Sequence, residues 1–235
     1  MTDLLVSVRT AEEAAVVAAA GVRWVDVKEP RRGPLGRADE ATWHAVAGVL
    51  PADAQLTLAL GEAGDPVPDY IAIPERTTLV KLGPHGCPLE AVPGVRAAWE
   101  AAAGRPLPWA GVVYVDDAVD LADRVAFHES IGDRFLLFDT GDKSGRSAIE
   151  LIDTLPPTTA TTCLAGRLTT DDLPQAVALA DIVGVRSAVT RGPRDGAIDP
   201  DRLMQCVDAV SGRAATTESG SPSVVVANTG ASKSA

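Results

Sequence analysis

Three lysines and two aspartates carry the chemistry this chain could do. Asp26 and Lys28 stand two apart at the end of an apolar run, 24–28. If that run is a strand, both charges share one face with Trp24, and Val25 and Val27 take the other. Asp139 and Lys143 are four apart where the run 135–139 gives way to a loop, and Lys81 lies near the end of the run 79–82. Charges on one strand face are costly to bury unless that face opens onto a polar cavity. The competing reading is a surface ion pair on an edge strand. Lysines gathered round one cavity lower one another's pKa and release a neutral, nucleophilic amine. A carboxylate alongside can move protons on and off a carbonyl carbon. The expected chemistry is a carbonyl substrate held as a Schiff base, with acid–base steps around it.

Composition sharpens the choice of residues. Only four of the 21 basic residues are lysine: Lys28, Lys81, Lys143 and Lys233. Arginine serves as well as lysine on most exposed faces, but its guanidinium stays protonated where a lysine can be tuned to a free amine. The lysines that remain are therefore worth locating. A net charge of −11 argues against a nucleic-acid surface, which needs a basic footprint. It leaves room for a small anionic substrate. No apolar run approaches the ~20 residues that span a bilayer. The start, Met1-Thr2-Asp3-Leu4, lacks the basic and apolar segments of a signal peptide. Cys87, Cys163 and Cys206 stand far apart, which favours reduced thiols over disulfides or a zinc site. A cytoplasmic protein without a membrane partner is expected.

The elements that must position these residues follow in a regular order. Short apolar runs at 4–8, 24–28, 56–60, 79–82, 110–115, 135–139, 161–164 and 182–185 read as strands. Helical patterns follow most of them, at 11–20, 39–50, 89–103, 119–131, 147–155, 171–179 and 199–210. The proline-rich stretch 67–76 reads as a loop or a short, poor helix. Eight near-continuous apolar strands alternating with helices are the pattern of a parallel sheet closed into a single (β/α)8 TIM barrel, residues 1–210. An open doubly wound sheet is the alternative, but the first strand–helix turn, Ser7-Val8-Arg9-Thr10, carries no GxGxxG fingerprint. From Ser211 to Ala235 the chain turns to Ser, Thr, Gly and Ala without periodicity, which reads as a disordered tail.

In such a barrel the site lies at the C-terminal ends of the strands. Lys28 ends the second strand, Lys81 nears the end of the fourth, and Asp139 closes the sixth with Lys143 in the loop beyond. Asp116 and Asp117 end the fifth. The turns after strands seven and eight hold Ala165-Gly166-Arg167, Arg186-Ser187-Ala188 and the run 190–196 with Arg191 and Arg194. Loops seven and eight commonly cradle phosphate, with glycine N–H groups and arginine as donors. Gly166, Arg186, Ser187, Ala188 and Ser7 are the candidate substrate- and phosphate-binding residues. Arg191 and Arg194 read equally well as solvated loop arginines. His44 and His128 fall within helices and read as exposed or capping; His85, in a Gly-Pro-His-Gly loop, could move a proton. Cys163 and Cys206 read as core. No clustered His/Cys set or acidic metal loop appears, so no metal is expected.

Several of these stretches together resemble a known family. They are Asp26-Val27-Lys28-x-Pro-x-x-Gly33-x-Leu35-Gly36, Val80-Lys81-x-Gly83, Asp139-Thr140-x-x-Lys143-x-Gly145, Leu164-Ala165-Gly166 and the run 181–186. The family is (5-formylfuran-3-yl)methyl phosphate synthase, also called 4-(hydroxymethyl)-2-furancarboxaldehyde-phosphate synthase. The resemblance implies a (β/α)8 barrel that condenses two molecules of glyceraldehyde 3-phosphate with loss of phosphate and water, without metal or organic cofactor. The product is a furan precursor of methanofuran-type cofactors. It further implies that Lys28 is the Schiff-base lysine and Asp26 its acid–base neighbour. Lys81, Asp139 and Lys143 would serve isomerisation, elimination and aldol steps, the loop around Gly166 and Arg186 would hold the retained phosphate, and the chain would assemble as a homo-oligomer. The segment between strands three and four and the loop 191–196 are shorter than the family pattern, and the tail has no counterpart in it. Two other readings use the same residues: another Schiff-base aldolase or isomerase of a phosphorylated carbonyl compound, or a non-catalytic phospho-ligand-binding regulator.

Overall fold

The computed structural model describes residues 2–117 and 119–212. Eight strands, β1 (Asp3–Val8), β2 (Trp24–Val27), β3 (Gln55–Glu62), β4 (Thr77–Gly83), β5 (Trp109–Tyr114), β6 (Phe135–Asp139), β7 (Thr161–Leu164) and β8 (Ile182–Val185), pair in sequence order, and β8 returns to β1. Every pairing is parallel, so the sheet is a closed (β/α)8 barrel. The described helices are α1 (Ala11–Ala19), α2 (Glu40–Val49), α3 (Val92–Ala103), α4 (Leu121–Ser130), α5 (Leu173–Leu179) and α6 (Pro200–Ser211).

Two apolar layers explain why the strands are apolar on both faces. Outward-facing residues such as Val25, Leu58, Val80 and Leu136 pack beneath helix residues including Trp43, Trp99 and Leu203. Inward-facing Leu5, Ala59, Ala110, Val112, Leu137 and Cys163 fill the barrel's lower interior. Above that plug, the inward positions turn polar. Short side chains start the helices: Thr10, Asp120 and Asp199 accept backbone N–H groups of the first turns of α1, α4 and α6.

Two local expectations change, and one open alternative resolves as a loop. The helix expected at 147–155 is a single 3-10 turn, Ala148–Glu150, closed by a Ser147/Glu150 capping box. A helix so short has little to sustain it, and Pro156-Pro157 disfavours helical geometry just beyond. What remains braces the next loop, because the Ala148 N–H donates to the Gly166 carbonyl at 2.9 Å. The stretch 67–76 forms no helix. His128 is buried rather than exposed or capping: its ring lies 2.8 Å from Asp133 Oδ2 and 3.2 Å from the Val112 carbonyl. Gly111 leaves the room, since a Cβ there would stand 2.7 Å from the imidazole. The expected tail begins at Ser211, which ends α6; from Arg213 onward it lies outside the described residues.

Asp133 also binds both Nη atoms of buried Arg96, at 2.7 and 2.9 Å, tying α3 to the segment after α4. Removing one partner of a buried pair leaves the other charge uncompensated. Asp133→Ala is expected to cost about 3–5 kcal/mol, read as a lower midpoint of urea unfolding.

Candidate active site

The strand ends place Asp26, Lys28, Lys81, Asp139 and Lys143 round one cavity inside the barrel mouth. Asp26 points inward from β2 and is 1% exposed. Its carboxylate accepts Ser7 Oγ and Thr57 Oγ1, each at 2.9 Å, and Lys81 Nζ at 2.5 Å. Burial works to raise its pKa, but the charges of Lys81 and Lys28 and these hydrogen bonds outweigh it and hold the carboxyl below its ordinary value. Asp139 repeats the arrangement from β6. It accepts Lys143 Nζ at 2.5 Å and the Thr140 N–H at 2.7 Å. Burial again opposes ionisation, and Lys143 and Lys28 again prevail.

Lys28 differs from both other lysines. Its ammonium makes no hydrogen bond or ion pair among the described residues, although it lines the same cavity. Burial pushes its pKa from 10.5 down to about 8; Asp139 and Asp26 resist the shift, and Lys143 and Lys81 reinforce it. The cavity therefore holds two neutralised lysine–aspartate pairs and one unpaired amine poised to lose its proton.

The loop after β2 explains its glycine-rich spacing. A Cβ at Gly36 would lie 2.2 Å from the Glu29 carbonyl, so the turn closes only with glycine there. Closure tucks Leu35, 1% exposed, over the mouth, where its carbonyl accepts the Gly61 N–H at 2.9 Å.

The phosphate half of the mouth departs from expectation at one residue. Gly166, Ser187 and Ser7 line the cavity; Ala188 is buried behind it. Gly166 has φ +101°, and a Cβ would stand 2.9 Å from the Thr140 nitrogen, so its backbone lies against the residue that follows Asp139. The N–H groups of Gly166, Arg167, Ser187 and Ala188 have no hydrogen-bond partner among the described residues. Arg186 also borders the cavity, but its donors are occupied. They go to Glu13 Oε1 and Oε2, at 3.1 and 2.6 Å, and to the carbonyls of Ser7, Arg194 and Gly196. Its guanidinium braces loop eight instead of facing an anion. Arg194 takes the open position: it lines the cavity and, among the described residues, its side chain donates only to the Gly33 carbonyl, at 3.2 Å. Burial lowers its pKa. Arg167, held at φ 57°, joins it on the lining, whereas Arg191 turns away to Asp199.

Other residues resolve simply. Burial pushes the Cys163 thiol up to about 12, so it is no nucleophile at neutral pH. His85 is outside the cavity lining; its ring packs against Tyr114 with centroids 4.6 Å apart and planes tilted by 60°, and Nε2 lies 3.2 Å from Asp117. The sequence reading missed Glu62 at the end of β3, whose Oε1 accepts Tyr114 OH at 2.6 Å. The available signal was an acid at a strand's C-terminal end beside Gly61.

Residues 4–207 match the family model described as 4-HFC-P synthase. The chain belongs to that family. A protein of Methylorubrum extorquens named "Putative (5-formylfuran-3-yl)methyl phosphate synthase" is 30% identical over 224 residues, covering 88% of this chain and 91% of the relative. Solved structures share the fold at lower identity. Phosphoribosyl anthranilate isomerase from Thermus thermophilus has a TM-score of 0.62 at 15% identity, over 91% of this chain and 100% of its own. 3-Hexulose-6-phosphate synthase from Salmonella typhimurium has 0.57 at 15%, with the same coverage. No described helix is long and apolar enough to cross a membrane.

The unpaired lysine of this 4-HFC-P synthase family member carries a stability cost. Its folded pKa, about 8, lies below its ordinary 10.5, so protonation favours the unfolded chain. Lys28→Met should therefore stabilise the protein, with a ceiling on the order of 3 kcal/mol. The gain is full below pH 8, shrinks as pH rises from 8 to 10.5, and is absent above. Urea unfolding of both proteins at pH 7 and pH 10.5 measures it.

Proposed function

We propose that this protein condenses two molecules of glyceraldehyde 3-phosphate into (5-formylfuran-3-yl)methyl phosphate, releasing inorganic phosphate and water, through a Schiff base on Lys28. The observation that carries this reading is the absence of a carboxylate partner for Lys28 between two lysines that each have one. A paired, protonated ammonium cannot attack a carbonyl; an amine with a pKa near 8 is partly free at neutral pH.

The roles follow from position. The phosphate of the bound triose sits among the N–H groups of Gly166, Arg167 and Ser187, with Arg194 and Arg167 supplying charge. Its carbonyl reaches Lys28, whose amine adds to the carbon and expels the oxygen as water. The iminium so formed acidifies the adjacent C–H. Asp139, inward on β6, and Asp26, inward on β2, are the carboxylates placed to take that proton, giving an enamine. Lys143 and Lys81 donate to them and supply protons to departing oxygens. The enamine electron pair expels phosphate from the next carbon and restores the iminium, leaving an enol. The enol carbon adds to the carbonyl carbon of the second triose phosphate, isomerised to its ketone. Loss of two waters closes the furan, and hydrolysis of the iminium frees Lys28. Family membership and the 30% identical relative support the furan product. Such a product would feed a methanofuran-type cofactor.

Borohydride added with glyceraldehyde 3-phosphate should fix an adduct that mass mapping places on Lys28, and turnover without borohydride should raise the ultraviolet absorbance of a furan aldehyde. An adduct without furan would leave an aldolase or isomerase; no adduct would end the Schiff-base reading. The trapping rate should rise with pH and level off above about 8. Lys143 lowers the Lys28 pKa and neutralises Asp139, so Lys143→Met is expected to move that midpoint to higher pH.

A further inference from the structure

On the far side of the mouth, β3 does something its neighbours do not. Its register against β4 shifts between Ala59 and Glu62, and Gly61 adopts φ +104°. A bulge of this kind re-aims the side chain that follows it. The re-aimed side chain is Glu62. Its carboxylate occupies the space that a side chain on Gly83 would fill: a Cβ there would lie 2.0 Å from Glu62 Oε2 and 2.5 Å from Tyr114 OH. Gly83 is two residues beyond Lys81 on β4, so the two share the inward face. Glu62 therefore sits inside the barrel mouth, one pleat above the lysine that lines the cavity.

The carboxylate is held from two sides. Tyr114 OH, on a side chain 1% exposed, donates to Oε1 at 2.6 Å, and the His85 N–H donates to Oε2 at 3.2 Å. Tyr114 is the register partner of Asp139 across β5 and β6. The other titratable groups facing Glu62 are the His85 ring and Asp65. Burial raises the carboxyl's pKa, with Tyr114 opposing the shift. A bulge, a required glycine and a buried tyrosine all fix one partly buried acid in the mouth beside the cavity, outside its lining, and no ion pair is made with it among the described residues.

We propose that Glu62 is the general acid for the carbonyl oxygen of the second triose, with Tyr114 as the residue that positions it. The assignment rests on the Schiff-base reading above. In the carbon–carbon bond-forming step the enol electron pair of the phosphate-free skeleton attacks the carbonyl carbon of the second triose, and the enol hydroxyl becomes a carbonyl as its proton passes to Asp139. The π pair of the attacked carbonyl moves to its oxygen, which takes the Glu62 proton and becomes a hydroxyl. The carboxylate left behind can recover a proton from water at the open side of the mouth.

The test separates first-substrate capture from bond formation. Glu62→Gln should leave borohydride trapping at Lys28 within twofold of the unsubstituted protein and lower furan formation by about 10²-fold. Tyr114→Phe removes a hydrogen bond that favours the ionised carboxyl, so the descending limb of the furan-forming rate should move to higher pH; a structural loss alone would leave that limb in place. Furan formation by Glu62→Gln within threefold of normal would overturn the assignment, as would loss of trapping in parallel with furan, or an unmoved limb in Tyr114→Phe. A normal protein that gives no Lys28 adduct would sink the Schiff-base reading and this one with it. A Lys28 adduct together with furan formation that does not depend on Glu62 would sink this one alone.

Discussion

An odd number of charges shares the top of the barrel. Two aspartates and three lysines project inward from β2, β4, β6 and the adjoining loops, and two contacts of 2.5 Å neutralise four of them. In so dry a site each pair must persist, because an uncompensated buried charge is far more expensive than a paired one. The fifth group, Lys28, makes no pair among the described residues, and its proton is held less tightly instead, with a pKa of about 8. Its reactivity is thus a by-product of charge counting in a closed sheet. The same fact makes it a point of weakness in the fold, as strained catalytic groups often are.

Rigid placement makes this arithmetic hold. Asp26 cannot turn away from Lys81, since Ser7 and Thr57 occupy its remaining lone pairs. Asp139 is tethered by the next residue's N–H, and the loop bearing Lys143 is tied down where Asp116 accepts the Gly141 and Asp142 N–H groups, both at 2.7 Å. Gly166 lies against Thr140, so the turn after β7 and the Asp139 pair share one backbone contact. Arg186 braces loop eight with its full fork of donors, while Arg194 lines the cavity. Two arginines eight residues apart thus face different ways.

Much of this was legible in the residues. Period-two alternation at 24–28 put Asp26 and Lys28 on one face, and eight apolar runs separated by helical patterns pointed to a closed parallel sheet over an open one. What sequence could not carry was pairing at a distance. Nothing local indicates that Lys81 would choose Asp26, 55 residues away, and leave Lys28 alone. Arg186 looked like an anion ligand because its turn is right; only the fold brings Glu13 of α1 to it. His128 looked exposed because the room it fills is made by a glycine on another strand. Glu62 was invisible for a related reason, since strict alternation would send it outward and a bulge reverses that. The failed helix at 147–155 was the exception, because its proline pair was in plain view.

Charge across the mouth is also divided, and the division constrains how a substrate lies. Lys28, Lys143, Arg167 and Arg194 border the cavity beside loops two, six, seven and eight, while Glu62, Asp65 and Asp117 flank β3, β4 and β5. A phosphate dianion is drawn to the first side and repelled from the second, whatever the rest of the molecule does. On the proposed reaction, a triose whose phosphate lies on the first side would present its carbonyl inward, toward Lys28.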